Sequence, residues 1–161
     1  MNQRRIIEGW IDKAWNHLKT SREHLKQYNY SESIEASQEC IELLAKSLLT
    51  FFEIKYPKRH GWNKKEFSDI VNQIQKKKLL DKLKEHNLEY IKLPRLLFLA
   101  NFWAQFYLPT KYGFEDGYWA TSQELFGKEE AALAEKHASE CFQATTNLRY
   151  FTQEKINEIL K

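Results

Sequence analysis

Two stretches of the chain combine residue types that could recognise a ring bearing a phosphate. The first runs from Lys55 to Lys65. It holds Lys55, Lys58, Arg59, Lys64 and Lys65 without an acidic residue, interleaved with Tyr56, His60 and Trp62. Cations of this kind neutralise phosphates while the rings beside them stack on bases. The alternative is a solvated basic loop in which Trp62 packs as a hydrophobic staple at the start of the next helix. The second stretch, Tyr107 to Trp119, offers Lys111, Tyr112, Phe114, Tyr118 and Trp119. Rings with polar tips line ligand pockets or subunit interfaces, and they equally cap the open end of a bundle core.

The other reactive side chains carry less pattern. Of five histidines, His17 and His24 lie seven apart on one helical face, but neither has a carboxylate at a recognised ligand spacing, so no metal or other cofactor is expected. Glu35, Glu39 and Glu42 form a carboxylate row on one helix. Di-metal bundles need paired Glu-x-x-His motifs from facing helices, and none occurs, so the row reads as a solvated face with Lys46 as ion-pair partner. Nucleophile elbows and glycine-rich phosphate loops are missing from the sequence.

The elements that must position these groups are helices. Ile7, Trp10, Ile11, Ala14, Leu18 and Leu25 recur at helical spacing from Ile6 to about Lys26. Tyr28-Asn29-Tyr30 breaks the pattern, and Ser31 is the expected N-cap of a second helix through Ile34, Ile41, Leu44, Leu48 and Phe52. Its apolar stripe, widened by Ala36, Cys40 and Leu43, demands more than one neighbour. Pro57 and Gly61 punctuate a loop, and Asn63 with Glu66 forms a capping pair opening a third helix. A short amphipathic segment, Leu79 to His86, precedes a strongly apolar helix with Pro94 in its first turn. Residues 108–127 read as one long, irregular, aromatic loop, and Lys128 to about Leu160 as a last helical pattern broken near Thr145-Thr146.

Composition agrees. With 161 residues, 42% hydrophobic and 29% charged, the chain fits a single domain (1–161), and only five Gly and three Pro leave little material for tight β turns. The net charge of +3 is too small to imply a dedicated nucleic-acid binder from global electrostatics, so local clustering has to carry that argument. Cys40 and Cys141 each sit in an apolar helical pattern outside any metal-ligand or redox spacing, the N-terminal residues show no apolar signal-peptide core, and the apolar run Leu93 to Leu108 is too short for a bilayer. A cytoplasmic protein without a membrane partner is expected. The predicted architecture is all-α, an antiparallel up-and-down bundle of four to five helices with one long aromatic loop, about 108–127.

The second helix, from Ala36 through Gln38, Glu42 and Lys46 to Leu49, resembles the signature of the HEPN family, Ala-x-Gln-x-x-x-Glu-x-x-x-Lys-x-x-Leu. Trp10 and Ala14 in the first helix, the His60-Gly61 turn, Lys111-Tyr112-Gly113 where relatives often have Arg-Tyr-Pro, and Glu130-Ala131 follow in the family's order. The resemblance implies a helical bundle that commonly forms homodimers. Relatives include RNase toxins, partners of small nucleotidyltransferases in two-gene systems, and domains thought to bind nucleotides. The nuclease members use Arg-x(4-6)-His, the His for acid/base or electrophilic help and the Arg for phosphate charge. No Arg here has a His five to seven residues on, and Asn101 stands where a His after Arg95 would be allowed. Asparagine hydrogen-bonds but shuttles no proton near neutrality.

The expected function is therefore a non-nucleolytic, homodimeric binder of a nucleotide or RNA-like ligand, or a partner of a small nucleotidyltransferase in a toxin-antitoxin-like pair, with Lys58, Arg59, His60, Trp62, Lys111 and Tyr112 as ligand-binding candidates. The alternatives are an RNase with a divergent site drawn from Arg95, Asn101 and His60, and a purely structural dimeric interaction protein.

Overall fold

The computed structural model describes residues 3–114 and 120–161. Tyr118 and Trp119, two of the rings singled out in the aromatic stretch, lie outside the described residues. Among those described, the chain forms nine α-helices: α1 (Gln3–Lys26), α2 (Tyr30–Phe51), α3 (Lys64–Lys76), α4 (Leu79–Glu85), α5 (Leu93–Ala104), α6 (Tyr107–Tyr112), α7 (Ser122–Leu125), α8 (Lys128–Thr145) and α9 (Gln153–Leu160), with 3₁₀ turns at Glu89–Ile91 and Thr146–Tyr150. The expected count of four to five is exceeded because four short helices, α4, α6, α7 and α9, join the five long ones.

α2 is the axis of the molecule. It packs against α1, α5, α6 and α8, and Ile34, Cys40, Ile41, Leu44, Ala45, Leu48 and Leu49 are completely buried. This is the outcome its wide apolar stripe requires, since each side of the helix must leave water. α1 turns back on α2 as an antiparallel hairpin: Ser21 meets Ser33 and Ser37, His17 meets Glu39, and Gln3 reaches Thr50. The turn between them puts Tyr28 in the left-handed region (φ 64°), and the Asn29 amide closes back on the His24 carbonyl at 2.9 Å. That geometry terminates α1 in the manner of a Schellman motif.

Where the two helices cross, the serines allow close approach, and their hydroxyls bond one another at 2.6 and 3.1 Å, so no buried oxygen is stranded. On the other side α8 packs against α2, with Ala131, Ala134 and Ala138 fully buried. Ser31 does not cap α2 as its type suggests. The helix begins two residues earlier than that cap would set, at Tyr30, with Asn29 as a flanking residue whose side chain makes no cap bond, and the Ser31 hydroxyl donates to Glu32.

The long irregular loop of the sequence reading is also corrected. Residues 107–112 are helical, because Pro109 falls in a first turn, where a missing amide costs nothing, and Thr110 bonds back to Phe106. α7 opens with a capping box between Thr121 and Glu124, a Thr-x-x-Glu pattern that marks a helix start. Between them, Phe114 and Ala120 form an isolated antiparallel bridge. The capping box at Asn63 and Glu66, the position of Pro94 and the break after Thr145 appear as expected.

Candidate functional site

The family-like residues of α2 point to one polar centre. Gln38, Glu42 and Lys46 are spaced four apart, which stacks them along one face of the helix. Glu42 is only 8% exposed, and its carboxylate accepts from Gln38 Nε2 at 2.8 Å, from Lys46 Nζ and from His60 Nδ1 at 2.8 Å. The reading of Glu42 as part of a solvated face is thus overturned. Its ion pair with Lys46 exists but lies inside, where a carboxylate is tolerated only with several donors around it.

His60 reaches this carboxylate because the loop after α2 turns sharply at Gly61. Gly61 has φ +69°, and a Cβ there would lie 3.0 Å from Ala104 Cβ, so both the conformation and the space favour glycine. The same turn lets the Trp62 amide donate to Asn101 Oδ1 at 3.1 Å. Glu42 fixes the Nδ1–H tautomer of His60 when the ring is neutral, leaving Nε2 as the edge available to a ligand. The ring stacks on Tyr107, with centroids 3.9 Å apart.

Tyr107 continues the network. Lys111 Nζ lies 4.6 Å from the centre of its ring and 3.3 Å from Glu35 Oε1. Interaction with the Tyr107 side chain first, and with the Glu35 carboxylate after it, pushes the Lys111 amine above its ordinary pKa. Toward α1, His17 Nδ1 pairs with Glu39 Oε2 at 3.0 Å. All three carboxylates of the α2 row therefore have basic partners from other elements.

Two of the clefts that His60 lines differ in character. One, of about 800 Å³, is lined by Gln105, Tyr107, Leu108, Tyr112 and Phe114 as well as His60. The other, of about 200 Å³, is lined by Lys13, His17, Glu39, Glu42, Leu43 and His60. The first presents ring faces and the second presents charges.

The residues singled out from sequence separate accordingly. His60, Lys111 and Tyr112 come together, with the Tyr112 ring 65% exposed at the mouth of the aromatic cleft. Trp62 is 7% exposed and its indole donates to the Pro57 carbonyl, so it is a core side chain with no face left for stacking. Arg59 is drawn to Glu66 at the start of α3, and that guanidinium, before the Asn63 amide, holds the Glu66 carboxyl below its usual range. Lys58 faces another cleft, shared with Trp10, Lys55 and Tyr56. Asn101 lines a groove with His60, whereas Arg95 is held to Glu140 on α8 by two hydrogen bonds of 2.6 and 3.1 Å and lines a separate cavity with Tyr90 and Cys141.

No cluster of three or more His, Cys, Asp or Glu suited to a metal ion occurs among the described residues. Nor is any helix among them long and apolar enough to cross a membrane.

Sequence reasoning missed Tyr107 as the stacking partner of His60 and missed the pairing of His17 with Glu39. The second was recoverable: a tight turn between α1 and α2 fixes the hairpin register that sets those two side chains opposite one another.

A sequence profile describing the HEPN domain matches residues 7–156. The chain belongs to the HEPN family. No curated protein and no solved structure matches it. In this HEPN domain the signature residues of α2 are explained by the structure: Gln38 and Lys46 hold the buried Glu42, and Glu42 holds His60.

Proposed function

We propose that this HEPN domain binds a nucleotide or an RNA-like ligand at the cleft walled by His60, Tyr107 and Tyr112. The carrying observation is His60 itself. Its imidazole is oriented by a buried carboxylate, stacked on one ring and left with Nε2 unpaired among the described residues, beside an aromatic cleft. Pre-oriented groups of this kind bind without a further ordering cost, and exposed rings such as Tyr112 and Phe114 suit the faces of a base.

A non-nucleolytic role is supported by the missing Arg/His spacing and by the position of Arg95, paired with Glu140 and lining a cavity that His60 does not share. The reading of Arg95, Asn101 and His60 as a divergent RNase site has less support, since only two of the three line one groove.

In this proposal the domain acts as a homodimer or beside a small nucleotidyltransferase. The exposed Phe98, stacked on Phe102 along α5, supplies an apolar face suited to such an association.

A panel of nucleotides and short single-stranded RNAs, titrated calorimetrically into the protein, tests the reading. Binding that weakens at least about tenfold in Tyr112→Ala is expected, the loss of one stacking contact. Silence across the panel refutes ligand binding. Cleavage of total RNA that disappears in Arg95→Ala would refute the non-nucleolytic reading.

A further inference from the structure

Two imidazoles in this domain are held in the same way. His17 gives Nδ1 to Glu39 at 3.0 Å, and His60 gives Nδ1 to Glu42 at 2.8 Å. In each the carboxylate occupies one nitrogen, and Nε2 has no hydrogen-bond partner among the described residues. Both rings line the same cleft of about 200 Å³, with Lys13 at its wall. His60 is also part of the wall of the aromatic cleft.

Resting on the nucleotide reading above, we infer that the His17–His60 cleft receives the phosphate group of the ligand whose ring occupies the aromatic cleft. Lys13, His17 and His60 are the phosphate-binding residues.

The charges facing the cleft give the reason. α1 contributes Lys13 and His17, α2 contributes Glu39 and Glu42, and the loop contributes His60; behind this lining Lys46 pairs with Glu42, and Lys111 is offset by Glu35. With both imidazoles neutral, Lys13 and Lys46 balance Glu39 and Glu42, and the site carries no net charge. With both protonated it carries two positive charges, and each ring donates Nε2–H to a phosphate oxygen while Nδ1–H remains on its carboxylate. Glu39 and Glu42 thus act as orienting groups for two donors. The side chains of His17 and Glu39 are about a quarter to a third exposed, so the cleft is reachable from solvent.

The consequence is a preference for ligands that carry a phosphate. The probes are adenosine, adenosine monophosphate and the dinucleotide adenylyl-adenosine, titrated into the whole protein by calorimetry at one fixed pH. The monoester and diester arms separate a terminal phosphate from one within a strand.

One or both phosphate compounds hold an advantage of at least about tenfold over adenosine, the scale of one or two charge-assisted hydrogen bonds. It is lost in His17→Gln and reduced in the α1 surface variant Lys13→Ala, with circular dichroism confirming that both remain helical.

Adenosine binding as tightly as both phosphate compounds, or an unchanged phosphate advantage in both variants, overturns the inference while leaving the aromatic cleft intact as a site. Failure of all three probes to bind overturns the inference together with the reading beneath it.

Discussion

Replacing Glu42 by alanine isolates the contact on which the candidate site is built. The substitution removes an acceptor that serves Gln38, Lys46 and His60 at once. Deleting one partner of a buried ion pair costs about 3–5 kcal/mol because the other charge is left uncompensated. Lys46 is 15% exposed at its side chain, so water reaches it and the cost falls toward the lower end. The Gln38 amide, 2% exposed, loses the acceptor of its N–H and adds about 1 kcal/mol. A total near 3 kcal/mol follows, since contributions within one network do not add fully.

In a chain of this length that lowers Tm by about 6–12 °C. Thermal and urea denaturation followed by circular dichroism measures it. Glu42→Leu combined with Lys46→Met should be less destabilising than Glu42→Leu alone, because the second change removes the stranded ammonium. A Glu42→Ala shift below about 2 °C, or a double variant no more stable than Glu42→Leu alone, would refute the account of Glu42 as the buried anchor of the site.

Two further outcomes test the geometry around it. Gly61→Ala forces a side chain into the left-handed region, about 1–2 kcal/mol, and against Ala104, so a loss of about 2 kcal/mol is expected. Gly9→Ala, whose added methyl meets nothing within 4 Å in mid-helix, should instead gain about 0.5–1 kcal/mol; both are read by urea titration. His137 accepts the Trp103 indole proton at Nδ1, and burial first, then Arg95, lowers its pKa. The unfolded chain therefore binds more protons there than the folded one, and this contribution to stability is present above the unfolded value near 6.5 and fades as pH falls toward the lower folded value. Tm plotted against pH should fall less steeply below about pH 6.5 in His137→Gln than in the parent, and equal slopes would count against it.

The helices and the core were legible from periodicity and punctuation. The stripe along α2, the proline and glycine after it, the Asn63 and Glu66 cap and the break at Thr145 are local signals, and local chemistry enforced each of them. The short helices α6 and α7 were harder, because Pro109 and Gly113 announce interruption while saying nothing of a turn of helix before or after it. Ser31 misled for a similar reason: serine favours a cap, yet packing of α2 against α1 carried the helix past it and buried the residue.

The candidate site lay mostly beyond that local reach. Residue type alone marked His60, Lys111 and Tyr112 as able to meet a phosphate or a ring. That Trp62 faces the core, that Arg95 is paired away on α8, and that Glu42 lies inside were decided by which helices pack together. Periodicity tells which face of a helix is apolar, but a polar residue at the edge of that face is solvated or buried according to what lies opposite. Opposite Glu42 stands a loop folded back by Gly61, and only the assembled bundle brings that loop within 3 Å.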